Sequence, residues 1–350
     1  MTGAVSEANG VLRTRTPDGA PVWVVTGYDD VRDGLADPRL SLNKANSGGT
    51  GYRGFALPPA LDANLLNMDP PDHTRLRKLV SAAFTARRVA DLRPRVEAIA
   101  AGLLDRLPAS PDLVRDFAAP LPLTVIGELL GVPGKAAVEF RDWTNVLLNQ
   151  PLRAVEAIAG MEAFLVALIA SKRAEPGDDL VSAMIAARDD GDRLTEDELV
   201  SLAFLIFWAG YENSVHLIAN AVLELIQRPD RRGDALDELI RDANPNPYAI
   251  RRFPLQDLDI SGTTIPAGDT VLLDIGSANR ERDRPHLSFG HGVHHCLGAP
   301  LARLELEVAL DAVFRRFPRV ALTEDAADLP WRESLRSRGV LRLPVAVNPL

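Results

Sequence analysis

The chain has 350 residues, 46% of them apolar, which is enough for a substantial core in one large domain or two ordinary ones. Its net charge of −9 argues against a general nucleic-acid binder, because phosphate binding requires clustered excess Lys and Arg. The longest strongly apolar run, residues 202–209, falls short of the roughly 20 needed to span a bilayer, and no apolar stretch of signal-peptide length opens the chain. A soluble cytoplasmic protein without nucleic-acid or membrane partners is expected.

Residues 11–27 read as two short strands, VLRTRT and VWVVT, around the turn Pro17-Asp18-Gly19, with a short amphipathic helix over 28–36. Residues 41–59, rich in Gly, Ser, Asn and Pro, predict a long loop of the kind that borders a substrate pocket. A helix opens after Pro70 and Pro71 and sets His73, Arg77 and Val80 near one face; such a His/Arg pair is either a solvated basic face or an anion site. From 89 to 187 the pattern is helical, interrupted at 108–111, 120–122, 131–134 and 175–178, with Phe164, Leu165 and Leu168 as core.

Residues 195–227 carry the longest helical pattern, opened by a capping box of Thr195 and Glu198. Its middle breaks the rules of a core helix: Gly210, Glu212, Asn213 and Ser214 stand between LAFLIF and VHLIANAVLEL. A buried carboxylate is costly unless hydrogen-bonded, so Glu212 implies either structural partners elsewhere in the chain or a working site. Glu238 and Arg241 follow as an i, i+3 pair, ordinarily an exposed salt bridge. Arg251-Arg252-Phe253 then leads into the strands LDI and TVLLDIG, and residues 331–347 supply another strand pair.

Residues 289–305, FGHGVHHCLGAPLARLE, hold the only cysteine, Cys296, and three of the six histidines. A lone cysteine forms no intrachain disulfide. Gly290 and Gly292 permit positive φ before it, and Gly298 and Pro300 lead into a helix after it. The sulfur therefore sits at or just before a helix N-terminus, where backbone N–H groups and the macrodipole favour thiolate. Three readings follow: a buried small hydrophobe, a nucleophile with His294 or His295 as base, or a thiolate ligand to porphyrin iron, for which one cysteine suffices.

Phe289, Gly292, His294, Cys296 and Gly298 fit F-x-x-G-x-H-x-C-x-G, which closely resembles the haem-binding loop of the cytochrome P450 monooxygenases; Ala299, Leu301, Ala302 and Arg303 continue the likeness. DPPDHTRLRKLVSAAF resembles that family's haem-facing helix, AGYENS its A-G-x-(D/E)-T-(T/S) element, and Glu238-Leu239-Ile240-Arg241 its E-x-x-R element. The resemblance implies a mainly α fold with a small β-region, as a single domain over 1–350. The β-rich lobe would take about 11–27, 250–280 and 331–347, and the helical lobe about 70–240 and 298–317. Haem b (iron protoporphyrin IX) would lie sandwiched between the long central helix and the cysteine-loop helix.

The same resemblance implies an axial thiolate from Cys296 as the metal ligand. It puts His73, Arg77 and Arg252 on the haem propionates, with Arg251 second to Arg252. Ala209, Gly210, Phe289, Gly290, His294 and Gly298 would surround the cofactor. Glu212, Asn213 and Ser214 would line a water and proton route in a widened turn of the central helix. Thiolate donation favours O–O cleavage and insertion of one oxygen atom from O2 into a C–H bond. The implied partners are a ferredoxin and ferredoxin reductase, since the chain shows no flavin or Fe–S motif, with Arg75, Lys78, Arg87 and Arg88 as a basic docking surface. AGYENS and YAIRRF look most like members that oxidise macrolides and related secondary metabolites, so a hydrophobic small-molecule substrate and a monomeric enzyme are expected.

Asn213 stands where the family usually has Thr, so Ser214, an ordered water or a substrate hydroxyl would have to substitute for the missing alcohol. The chain also looks short before the opening strands, between Arg228 and Ala235, and between Asn279 and Pro285, where only RERDR remains. That last loop normally supports the E-x-x-R pair and buttresses the cysteine loop. Its loss predicts weakened haem retention, and the alternative function is haem binding without turnover, as a carrier or sensor. A thiol-dependent hydrolase is the second rival.

Overall fold

The computed structural model describes residues 10–49, 51–52, 54, 57–81, 84–189 and 194–347. Glu196–Gln227 forms a helix of 32 residues, about 48 Å long at ~1.5 Å per residue. Its start is held by the predicted capping box: the Thr195 hydroxyl accepts from the Glu198 N–H, and the Glu198 carboxylate accepts from the Thr195 N–H. Leu199, Leu202, Phe204, Phe207, Val215, Ile218 and Val222 are all buried, so apolar residues surround most of this helix, as in an element that runs through a core. Pro59–Asp62, Pro120–Leu130, Ala154–Ala174 and Ala299–Arg316 pack around it. Arg75 pairs with Glu198. Expected on a docking surface, it instead ties the helix Asp72–Ser81 to the central one, while Lys78, Arg87 and Arg88 stay exposed.

The helical stretch departs from the expected breaks in two places. Pro120 and Pro122 do not interrupt it; they occupy the first turn of Pro120–Leu130, where a missing N–H has no intrahelical partner to lose. An unexpected break falls at Pro151–Arg153, a single turn between Gly134–Asn149 and Ala154–Ala174. Ala154–Ala174 and Glu196–Gln227 are also long and apolar enough, by length and composition, to cross a membrane. Counting only uninterrupted apolar residues missed this, because a few scattered polar side chains leave a long helix apolar on average. The central helix is mostly buried within the protein, whereas Ala154–Ala174 leaves Val155 and Val166 exposed.

Val11–Arg15 and Pro21–Val25 pair antiparallel, Val11 opposite Val25, and Val271–Leu273 adds in parallel beside the second strand. Alternation sends Val22, Val24 and Leu272 to one face; Val25, Val271 and Leu273 go to the other, beneath the helix Tyr28–Ala36. Within the loop expected at 41–59, Leu40–Ser41 pairs with Phe253–Pro254 and Lys44–Asn46 forms a tight turn. Asp69 organises this start, accepting from Ser41 Oγ at 2.5 Å and from the Leu42 N–H at 2.9 Å.

The hairpin Trp331–Glu333 with Arg338–Val340 lies against the central helix. Gly339 permits that approach, since a Cβ there would overlap the His216 ring. Asn220 closes the contact: its Nδ2 donates to the Ala243 and Arg338 carbonyls at 3.2 and 3.1 Å, and its Oδ1 accepts from the Val340 N–H at 3.1 Å.

Candidate functional site

The cysteine loop is closed by its own backbone. The Gly290 N–H donates to Leu287 O at 2.8 Å, the Cys296 N–H to Phe289 O at 2.8 Å, and the His295 N–H to Gly292 O at 3.0 Å. Gly290 and Gly292 both take φ of 73°, a conformation costly for other residues. At Gly292 a Cβ would also stand 2.9 Å from Ala36 Cα, so the loop rests directly on the end of Tyr28–Ala36. Gly292→Ala is expected to cost about 1–3 kcal/mol through strain and overpacking, read as a lower urea midpoint with faster haem loss to a scavenger. An unchanged midpoint would remove this account of the loop.

Cys296 is exposed, yet protein surrounds it closely enough that burial raises its thiol pKa. The side chain therefore opens onto a recess within the protein. The N–H groups of Gly298 and Ala299 and the charge of Arg77 act in the opposite direction. The expected helix-terminus effect is thus present but smaller than desolvation, which corrects the expectation of a preformed thiolate. A metal cation on the sulfur would act with those groups in favouring ionisation.

Asp72–Ser81 carries His73 and Arg77 to the loop. The His73 and His294 rings are 4.1 Å apart, and Arg77 Nη2 donates to His295 O at 2.7 Å. His73 is 1% exposed, and neither of its ring nitrogens has a partner among the described residues. Arg252 is equally enclosed; Nη2 donates to Leu35 O at 3.0 Å and Nη1 to Leu40 O at 3.2 Å, while Nε is unpartnered among the described residues. Burial pushes His294 down to about 3, with the neighbouring His73, Arg252 and Arg77 adding to the effect, and burial lowers Arg252 to about 10. His73 and Arg252, far apart in sequence, thus bring unpartnered ring and guanidinium nitrogens to the cysteine loop, and Arg77 and Arg252 bring positive charge to it. Buried unsatisfied donors are costly, and the two carboxylates of a haem would relieve both the charge and the missing hydrogen bonds. An iron that brings its own macrocycle would need only the Cys296 sulfur from the chain, and the unpartnered nitrogens of His73 and Arg252 fit the carboxylates such a macrocycle carries. Phe289 packs beside His286 and His295, with the Arg303 guanidinium over its ring at 5.3 Å.

On the central helix the expected widened turn is absent: 196–227 is continuous α-helix. Gly210, next to Ala209, admits a close neighbour, since a Cβ there would stand 2.8 Å from Ile126 Cδ1. Glu212 has the structural partners that sequence alone could not supply. Its Oε1 accepts from Arg332 Nη1 at 2.9 Å and Ser337 Oγ at 3.3 Å, with His216 Nε2 at 3.8 Å. Burial raises its pKa and Arg332 opposes the rise. Asn213 turns its amide back on its own helix, Nδ2 to Ala209 O at 3.4 Å.

Ser214 is buried and faces Glu305 of the cysteine-loop helix. Glu305 is 1% exposed, and Ser214 is the one described side chain that acts on its carboxyl. Burial pushes its carboxyl up to about 8, with Ser214 a small counterweight. The sequence reading did not single out Glu305. The signal was present, because it occupies a position of the apolar stripe formed with Leu301, Leu304 and Val308.

Behind the loop, Arg241 is buried and differs from the exposed pair that its spacing implies. Nη2 donates to Arg284 O at 2.6 Å, and Nη1 to Glu281 O at 3.2 Å and Asn279 O at 3.3 Å, with Glu238 Oε1 at 3.4 Å. Asn279 in turn accepts from the Leu287 N–H at 2.7 Å and donates to Ser288 Oγ at 2.9 Å. Arg282 folds back on Glu238 and Asp242 at 3.2 and 2.5 Å. The shortened segment was expected to leave this pair and the cysteine loop unsupported. It wraps the guanidinium directly, since six residues suffice to present three carbonyls to one planar fork. Arg241→Leu is expected to destabilise by about 2–4 kcal/mol, because one buried and two part-buried carbonyls lose their donor; a urea midpoint within error of the parent would contradict it.

A long buried helix facing a glycine-bounded cysteine loop, with enclosed cationic donors beside the sulfur, defines a haem-thiolate protein. Residues 278–334 match the family model described as Cytochrome P450. The chain is 44% identical over 364 residues to Cytochrome P450 monooxygenase PikC of Streptomyces venezuelae, covering 95% of this chain and 87% of that one. It is 43% identical over 369 residues to 6-deoxyerythronolide B hydroxylase of Saccharopolyspora erythraea, covering 94% and 91%. The solved structure of the tirandamycin C-bound P450 monooxygenase TamI matches with a TM-score of 0.90 at 40% identity, covering 97% of this chain and 94% of that one. The chain belongs to the cytochrome P450 family, and it is a monooxygenase.

Proposed function

We propose that this enzyme inserts one oxygen atom from O2 into a C–H bond of a macrolide or related polyketide, using haem b ligated by Cys296. The observation that carries the reading is the meeting of His73, Arg77, Arg252 and His294 beside an accessible Cys296. Relatives named for hydroxylation of 6-deoxyerythronolide B and for hydroxylation or epoxidation of mycinamicin IV support the substrate class.

Bound there, the haem would supply dioxygen activation, which thiolate ligation promotes. The chain's own residues do the rest. The Gly298 and Ala299 N–H groups and Arg77 lower the cost of the Cys296 anion. His73, Arg77, Arg252 and His294 would hold the haem carboxylates, and Phe289, Gly290 and Gly298 shape the loop around the sulfur. Ala209 and Gly210 would face the haem from the central helix. Glu212 positions the central helix against the Trp331–Glu333 hairpin through Arg332. Asn213 bonds to its own helix and Ser214 faces Glu305, which leaves a substrate hydroxyl or an ordered water to hold the proton where a threonine would. Electrons come from a ferredoxin and its reductase, docking on the exposed Lys78, Arg87 and Arg88, and the enzyme works as a cytoplasmic monomer. A haem carrier without turnover is the weaker reading, because the buttress whose loss favoured it is supplied by Arg241.

Hemin-loaded protein, reduced under carbon monoxide, is expected to show the red-shifted thiolate-type Soret band. With a surrogate ferredoxin and reductase and a panel of macrolactones, it is expected to place one heavy-oxygen atom from labelled O2 into product. An imidazole-type spectrum, or product oxygen drawn from water, would sink the reading.

A further inference from the structure

We infer that Asp237 is a built-in competitor at the docking face of the electron donor: it occupies Arg303 beside the cysteine loop until a carboxylate of the donor takes its place. The inference rests on the ferredoxin reading and adds its regulation. A recess of about 310 Å³ lies against the loop, with Asp237, Pro285, His286, Phe289, His295 and Arg303 among its walls. It faces solvent, since the Asp237 and Arg303 side chains are 59% and 36% exposed. Two of the walls bear on the sulfur directly: His295 precedes Cys296 in the chain, and the Phe289 carbonyl accepts the Cys296 N–H at 2.8 Å. Electron transfer slows steeply with distance, so a donor seated over this recess has a short route to a metal on Cys296.

The Arg303 guanidinium lies over the Phe289 ring at 5.3 Å and pairs with Asp237. His286 holds the same carboxylate. Its Nδ1 accepts from the Ser288 N–H at 3.3 Å, which leaves the ring proton on Nε2, 3.4 Å from Asp237 Oδ1. Burial raises the Asp237 carboxyl, but Arg303 and His286 outweigh it, so the group lies below its usual value and is charged at neutral pH. Around the recess the exposed charge is of the other sign. Arg77 Nη2 donates to His295 O at 2.7 Å and so brings the helix of Lys78 to its edge, and Ala86–Asp91, with Arg87 and Arg88, packs on the helix that carries Arg303. Such a face matches an acidic donor. Asp237 is the mismatch: it repels that donor and holds the guanidinium the donor would use. An exposed ion pair is weak, so one carboxylate readily replaces another. Asp237 thus loosens docking without preventing it, which suits a one-electron carrier that must bind, leave and be replaced within each turnover.

The test follows reduction of the hemin-loaded protein under carbon monoxide by a plant-type [2Fe–2S] ferredoxin and its reductase, with the rate measured against ferredoxin concentration at low and high salt. Asp237→Asn is expected to lower the half-saturating concentration about two- to fivefold at low ionic strength, the effect of one exposed pair, and to lose that gain in high salt. Asp237→Glu is expected to behave as the parent. Arg303→Gln is expected to weaken docking and, combined with Asp237→Asn, to remove the gain. Asp311→Asn, which deletes an equal charge about two turns further along the helix of Arg303, controls for net charge and is expected to leave the concentration unchanged. Equal affinity of the parent and Asp237→Asn, an equal gain from Asp311→Asn, or a gain that persists beside Arg303→Gln would overturn the inference while the ferredoxin reading stands. Ferredoxin that reduces neither parent nor variants, although dithionite yields the thiolate-type band, would overturn that reading and the inference with it.

Discussion

Cys296→Ser is expected to fold and to take up hemin weakly, but to lose the thiolate-type Soret band under carbon monoxide and at least about a hundredfold in turnover, the upper end of what loss of a mere supporting group costs a metal site. The physical basis is the mismatch at this sulfur. Burial favours the thiol, the Gly298 and Ala299 N–H groups with Arg77 partly offset it, and a bound metal cation would favour the anion further. A hydroxyl, far less acidic than a thiol, would not ionise in the same recess. A thiol-dependent hydrolase would also lose activity in this variant, so the parent protein supplies the discriminating measurement. Alkylation of Cys296 is expected to be slow without haem at neutral pH and slower with it, and activity is expected to require iron. Turnover by iron-free protein would sink the assignment.

Glu305→Gln is expected to stabilise the protein in alkali and to leave it nearly unchanged in mild acid. The carboxyl, ordinarily near 4.5, is raised to about 8 by burial, so folding favours its protonated form. The stability this contributes is present below about pH 4.5 and is lost as pH rises through about 8. At ~1.4 kcal/mol per unit of pKa difference the loss reaches several kcal/mol. Urea titrations at pH 9 should therefore find the variant about 2–4 kcal/mol more stable than the parent, and at pH 5 within about 1 kcal/mol. A difference independent of pH would mean that the carboxylate finds a partner after all.

Much of the site was legible because its signals are local. Gly290 and Gly292 take the positive φ that their placement implied, and the Thr195 capping box forms as its spacing demands. The prolines at 120–122 were misjudged because proline breaks a helix interior but suits a first turn, and spacing alone did not say which. Glu212 looked like a working carboxylate because Arg332, its ion partner, lies 120 residues away. Arg75 looked free for the same reason, its partner Glu198 being 123 residues distant. The support for Arg241 was invisible because backbone carbonyls provide it, and every residue type carries one.

The order of residues by itself pointed to the family and to most of the helices, since each rests on side chains or turn residues within a few positions of one another. It took the folded chain to settle which charges are paired and which donors stay unsatisfied. Desolvation and Coulomb energy depend on neighbours in space, and those neighbours come from segments that no local pattern brings together.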